Sequence, residues 1–171
     1  KKIIVPSSKS ITNRILIISS IVKNEIIINN PLDCLDTRLM IQALRQSNIT
    51  IIHQNSYIIV KDQKNFYPKG EYYLGNSGTS VRFLIPLFAM NTQETIIIKG
   101  SDEMKKRPIE PLITSLNSFG CNINYLGTTG FLPIKIKPPN KMKKDISIDG
   151  TLSSQYISGL LMATCSLYSK N

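Results

Sequence analysis

Three times in this chain a hydroxyl-rich turn runs straight into an apolar segment of helical length. Ser7-Ser8-Lys9-Ser10 precedes residues 11–21, Asn76-Ser77-Gly78-Thr79-Ser80 precedes 81–90, and Ser153-Ser154-Gln155 precedes 156–165. The onsets lie about seventy to eighty residues apart, which marks an internal repeat of one structural unit. Each turn leaves the first N–H groups of its helix unpaired, and the helix dipole places roughly half a positive charge there. Packed so that the three ends converge, they present on the order of one and a half charges to a single spot. Lys9, Arg14 and Arg107 lie on or near the same segments. The pattern predicts a site for multiply anionic small molecules.

A second helix belongs to each repeat. Asp36-Thr37-Arg38 opens one, with Leu39, Met40, Ala43 and Leu44 at helical spacing. Arg107-Pro108-Ile109 is expected to open its counterpart, with Pro108 in the first turn; Leu112, Ile113 and Leu116 continue it and Phe119-Gly120 closes it. Short β-branched runs at 25–28, 94–98 and 146–148 read as strands between helices. Strand pairs follow at 49–52 with 57–60 and at 122–125 with 132–136, joined by the turn-rich Gln54-Asn55-Ser56 and Gly127-Thr128-Thr129-Gly130. One unit therefore reads strand, helix, strand, helix, strand, strand. Units run over about residues 9–70 and 71–145, and a third begins at 146 and stops short. The fold class is α/β, one domain of stacked βαβαββ units, and the chain looks cut from a longer one.

With 21 Lys and Arg against 11 Asp and Glu, the formal charge of +10 is compatible with a polyanionic partner. Nucleic acid fits poorly, because the lysines are scattered and lack interleaved aromatics on which bases could stack. No apolar run approaches membrane-spanning length; the longest, 15–22, is broken by Ser19-Ser20. Cys34, Cys121 and Cys165 are odd in number, far apart, and have no histidine or second cysteine at ligand spacing. A structural metal is not expected; reduced, mostly buried thiols in a cytoplasmic protein are. His53 reads as an ordinary residue of a strand pair.

The motifs carry a family resemblance. Pro6-Ser7-Ser8-Lys9-Ser10-Ile11-Thr12-Asn13-Arg14, Leu74-Gly75-Asn76-Ser77-Gly78-Thr79-Ser80-Val81-Arg82-Phe83-Leu84, Arg107-Pro108-Ile109 and Ser153-Ser154-Gln155-Tyr156 resemble, in order and spacing, the signature blocks of 5-enolpyruvylshikimate-3-phosphate synthases. The second block and residues 153–162 look closest to the synthase segment of the fungal pentafunctional shikimate-pathway polypeptide. The resemblance implies transfer of the enolpyruvyl group of phosphoenolpyruvate to the 5-hydroxyl of shikimate 3-phosphate, with phosphate released through a tetrahedral intermediate and no metal or cofactor. It implies the enolpyruvyl transferase fold, an inside-out α/β barrel of two halves. Residues 1–8 would be a strand and crossover belonging to the other half, and 9–171 the N-terminal half, which should be inactive alone.

By the same resemblance Lys9 is the catalytic lysine between the two substrates. Ser10, Arg14, Ser153, Ser154 and Gln155, together with Lys9, hold shikimate 3-phosphate; Asn76, Gly78, Thr79 and Arg107, again with Lys9, hold phosphoenolpyruvate. The chemistry suits these roles. An ammonium offsets charge on two anions, a guanidinium captures phosphate or carboxylate with two prongs, and a glycine admits an anion to the backbone where a methyl would clash. Taken singly, each residue reads equally well as a helix cap or a surface charge, and Arg82 as a tie between helix and loop.

The chain departs from the pattern at Glu103, where an arginine is commoner, and at Ser77 and Ser80, where alanine is. Two other readings stay open: another enolpyruvyl transferase, for which Cys121 is badly placed, and a non-catalytic polyanion-binding module.

Overall fold

The computed structural model describes residues 5–54 and 56–168. In chain order its regular elements are α1 (Lys9–Ser19), β1 (Ile26–Asn29), α2 (Leu35–Gln46), β2 (Thr50–Gln54), β3 (Tyr57–Lys61), β4 (Gly70–Tyr73), α3 (Gly78–Asn91), β5 (Ile96–Lys99), α4 (Glu110–Phe119), β6 (Asn122–Tyr125), β7 (Ile134–Lys137) and α5 (Ser154–Tyr168), with short 3₁₀ turns at Gln63–Asn65 and Met104–Lys106. The βαβαββ order is complete once, from β4 to β7. In the first unit residues 5–8 form no strand ahead of α1, and residues 1–4 lie outside the described residues.

Two sheets result. The first is antiparallel throughout, in the order β1-β3-β2. The second runs β4-β5-β7-β6, with β4 and β5 parallel and the other neighbours antiparallel. Alternation sets the buried face of each strand: Ile58 and Val60 of β3 point inward, as do Ile96 and Ile98 of β5 and Ile134 and Ile136 of β7. These faces pack on helices that join one core running through Leu16, Met40, Leu84, Phe88, Leu112, Leu116 and Tyr156.

α3 is the axis of the molecule, buried at every position except Arg82. Pro86 interrupts it, and because proline has no N–H the carbonyl of Arg82, four residues back, lacks its intrahelical donor. Gly159 of α5 packs against that carbonyl; a methyl at 159 would run into it and would lie 3.3 Å from Pro86 Cγ. The absence of a side chain at 159 is what lets the two helices approach so closely.

Three sequence expectations need correction, and one strand was not foreseen. Residues 146–148 form no strand; they lie beside α4, where Ser115 Oγ donates to the Ser147 carbonyl at 2.5 Å. A strand there has no neighbouring ladder among the described residues. The proline in the first turn of α4 is Pro111, not Pro108, because Arg107 still closes the preceding 3₁₀ turn. Of the three thiols only Cys121 is buried, which pushes its pKa up to about 12; Cys165 is exposed. β4, a strand carrying Gly70 and Glu71, has no apolar run to announce it. Gly120 closes α4 as expected, in the left-handed region at φ +118°. No helix among the described residues is long and apolar enough to cross a membrane.

Candidate anion site at the helix N-termini

The N-terminal ends of α1, α2, α3 and α5 meet. Ser8 caps α1 by accepting from the Ile11 N–H at 3.4 Å, and Thr12 Oγ1 accepts from the Leu32 N–H at 3.0 Å, which holds the approach to α2 against α1. Ser77 caps α3, accepting from the Ser80 N–H at 3.3 Å. The Ser80 hydroxyl donates to the Asp36 carbonyl at 3.2 Å and so pins the first turn of α2 to that of α3. Serine at 80 thus does what alanine could not: it links two helix starts. Gln155 of α5 completes the ring, donating from Nε2 to Thr79 Oγ1 at 3.3 Å.

Cations line this junction. Lys9 Nζ lies 2.9 Å from Asp36 Oδ2, and that hydrogen bond, reinforced by the carboxylate charge, raises the lysine pKa above its ordinary value. Arg107 is close enough to oppose the rise. Arg14 reaches Ser158 Oγ at 3.2 Å and stacks over the Phe83 ring at 5.1 Å, bridging α1, α3 and α5. Arg82 sits between α3, α5 and the loop before α4. It reaches the Gly78 carbonyl at 3.3 Å, Gln155 Oε1 at 3.5 Å and the Pro108 carbonyl at 3.5 Å, and lies over the Tyr156 ring at 5.5 Å. Tyr156 donates its hydroxyl to the same Pro108 carbonyl at 2.8 Å. The tie between helix and loop expected of Arg82 is therefore present.

The charge balance is lopsided. Among the described residues Asp36 is the one carboxylate paired to this cluster, and Arg14, Arg82 and Arg107 form no ion pair. Arg82 Nε is buried and has no hydrogen-bond partner. Uncompensated guanidinium charge beside helix N-termini is stabilised by an anion. The cluster is an open face, with Lys9, Ser10, Asn76, Ser154 and Arg107 exposed. Grooves of about 580, 500 and 420 Å³ are lined by other residues.

The junction thus gathers Lys9, Arg14, Gly78, Thr79, Arg107 and Gln155; Ser10, Asn76, Ser153 and Ser154 lie beside them in chain without a side-chain bond across the junction. Gly78 is closely surrounded. Its φ is not positive, so the glycine serves no left-handed turn, and a methyl there would lie 2.6 Å from Arg82 Nη1 and 3.1 Å from Arg107 Nη1. Alanine would first displace two guanidinium groups that face the site. Asp36 escaped notice as a site residue because an acidic residue in a first helical turn already has a role as a dipole partner.

The family model for EPSP synthase (3-phosphoshikimate 1-carboxyvinyltransferase) matches residues 1–170. The chain belongs to the EPSP synthase family. It is 40% identical over 179 residues to the pentafunctional AROM polypeptide of Pneumocystis carinii, covering 98% of this chain and 11% of that one. To 3-phosphoshikimate 1-carboxyvinyltransferase 2 of Halalkalibacterium halodurans it is 37% identical over 161 residues, 94% of this chain and 36% of the relative. The EPSP synthase of Acinetobacter baumannii superposes with a TM-score of 0.79 at 26% identity, over 95% of this chain and 37% of that one. The α/β architecture is accordingly the enolpyruvyl transferase fold of that family, and the chain spans little more than a third of a single-function relative's length.

Proposed function

We propose that this chain supplies one wall of the active site of an enzyme that transfers the enolpyruvyl group of phosphoenolpyruvate to the 5-hydroxyl of shikimate 3-phosphate, releasing phosphate. The observation that carries the reading is the convergence of Lys9, Arg14, Arg82 and Arg107 on joined helix N-termini with one carboxylate among them. Both substrates are multiply anionic, and such a surface lowers the repulsion between them. In this reading Arg14, Ser10 and the 153–155 turn hold shikimate 3-phosphate. Asn76, Gly78, Thr79 and Arg107 hold phosphoenolpyruvate, and Lys9 stands between the two. The opposite wall comes from the rest of the polypeptide, with residues 9–171 forming most of one half.

The hydroxyl oxygen adds to the enol carbon as the neighbouring methylene takes a proton; when the tetrahedral intermediate then loses that proton and expels phosphate, negative charge builds on the leaving oxygen, and an ammonium fixed nearby stabilises it without reorganisation. In the longer synthase that carries this chain, Lys9→Met should cost at least about 3 kcal/mol in transition-state stabilisation, read as the drop in kcat/KM for either substrate. A loss smaller than tenfold would leave Lys9 as a surface residue beside a cap.

A further inference from the structure

Lys9 has four rotatable bonds and a half-exposed side chain, so the backbone of α1 alone does not aim its ammonium. What aims it is Asp36. The carboxylate stands 2.9 Å from Nζ, in the first turn of α2, where the helix dipole favours a negative charge. Asp36 is itself fixed from two sides. Its backbone carbonyl accepts from Ser80 Oγ of α3, and Thr37, the next residue, closes a capping box on Cys34 and donates to the Leu32 carbonyl at 2.8 Å. The Lys9–Asp36 pair thus joins α1 to α2 at the point where α2 joins α3. Solvent-exposed pairs contribute little to stability, so the value of this one lies in direction.

We infer that Asp36 is a positioning residue for the enolpyruvyl transfer, holding the Lys9 ammonium in one orientation toward the substrates; this rests on the role proposed for Lys9. Asp36 does not touch the reacting atoms and acts through Lys9. Its hydrogen bond and charge also raise the lysine pKa. The titratable groups that act on Lys9 are Asp36 and Cys34 from the start of α2, which raise its pKa, and Arg107 from the loop before α4, which lowers it. No titratable group of α3 or α5 contributes among the described residues. Removing the Asp36 carboxylate takes away the two largest influences that raise the pKa and leaves burial and Arg107, which lower it, so the ammonium should be lost at lower pH.

The test is a double-mutant cycle with pH profiles in the longer synthase. Asp36→Asn keeps the shape and removes the charge; it should lower kcat/KM at least tenfold and move the alkaline limb of the profile toward neutrality. Added to Lys9→Met, it should cost less than threefold more, because the group it orients is gone. Additive losses, or an alkaline limb that does not move, would overturn the inference. Asp36→Glu guards against a folding defect in the Asn variant: the charge is kept but displaced, so the limb should stay while kcat/KM falls several-fold. Wild-type kinetics in Asp36→Glu would equally defeat a positioning role. A Lys9→Met enzyme of near-normal activity would instead remove the parent reading of Lys9.

Discussion

Helix α3 is buried along its length except at Arg82, whereas α1 and α5, opened by turns of the same composition, leave Ile11, Ile18, Ile157 and Leu161 in solvent. The difference lies in position. α3 is packed on α1, α2, α4 and α5 and on β7, so every face of it meets protein. α1 and α5 each present one side to α3 and another to water. Their N-terminal turns differ in the same way: Ser77 and Ser80 are fully buried, Ser77 capping its own helix and Ser80 reaching α2, while Ser8 and Ser10 are exposed. Like turns therefore do unlike work. The one before α3 holds the junction together, and the one before α1 is left exposed.

The largest expected effect separates the core helix from its neighbours. Phe88 is fully buried, with Tyr72 at 4.6 Å and Phe66 at 6.1 Å between ring centroids. Phe88→Ala should lower the unfolding free energy of the chain by about 3–5 kcal/mol, and Leu161→Ala by no more than about 0.5, in urea titrations. Similar values for both would show that α5 is covered as fully as α3.

A smaller effect tests how closely α5 lies on α3. Alanine in place of an exposed helical glycine stabilises by about 1 kcal/mol. Gly159→Ala should do the reverse and destabilise by about 1–3 kcal/mol, because its methyl meets the Arg82 carbonyl. A rise in Tm would place the helices further apart than this structure has them.

The smallest effect compares the caps. Ser77→Ala removes a buried cap and its hydrogen bond to Ser80, and should cost about 1–2 kcal/mol; Ser8→Ala, at an exposed cap, should cost about 0.5. Equal costs measured by thermal unfolding would erase the distinction between the buried turn and the exposed one.

Much of this was legible in the residues. The repeat, the five helices and the hairpins at 50–61 and 122–137 follow from local signals, namely hydroxyl caps, helical spacing of Leu and Met, and turn residues between alternating runs. So was the convergence of Lys9, Arg14, Gly78 and Arg107, through motif order. Three things were not legible. Residues 146–148 have strand composition but no neighbouring strand, and a strand exists only in a ladder. β4 has few apolar residues, yet β5 offers it a parallel edge. The closeness of the Arg82 and Arg107 guanidinium groups to Gly78 is set by packing and not announced by its turn.

The sequence by itself determined where α1 and α3 start, because a serine that caps its own helix acts within three or four residues. It also determined the net excess of cations and the family to which the motifs belong. Only the tertiary structure decided which start is buried, that Asp36 and not solvent faces Lys9, and that Arg82 has a buried Nε without a partner. Those facts depend on groups tens of residues apart in chain. Their distances are set by how α1, α2 and α5 pack around α3, and no local propensity encodes that packing.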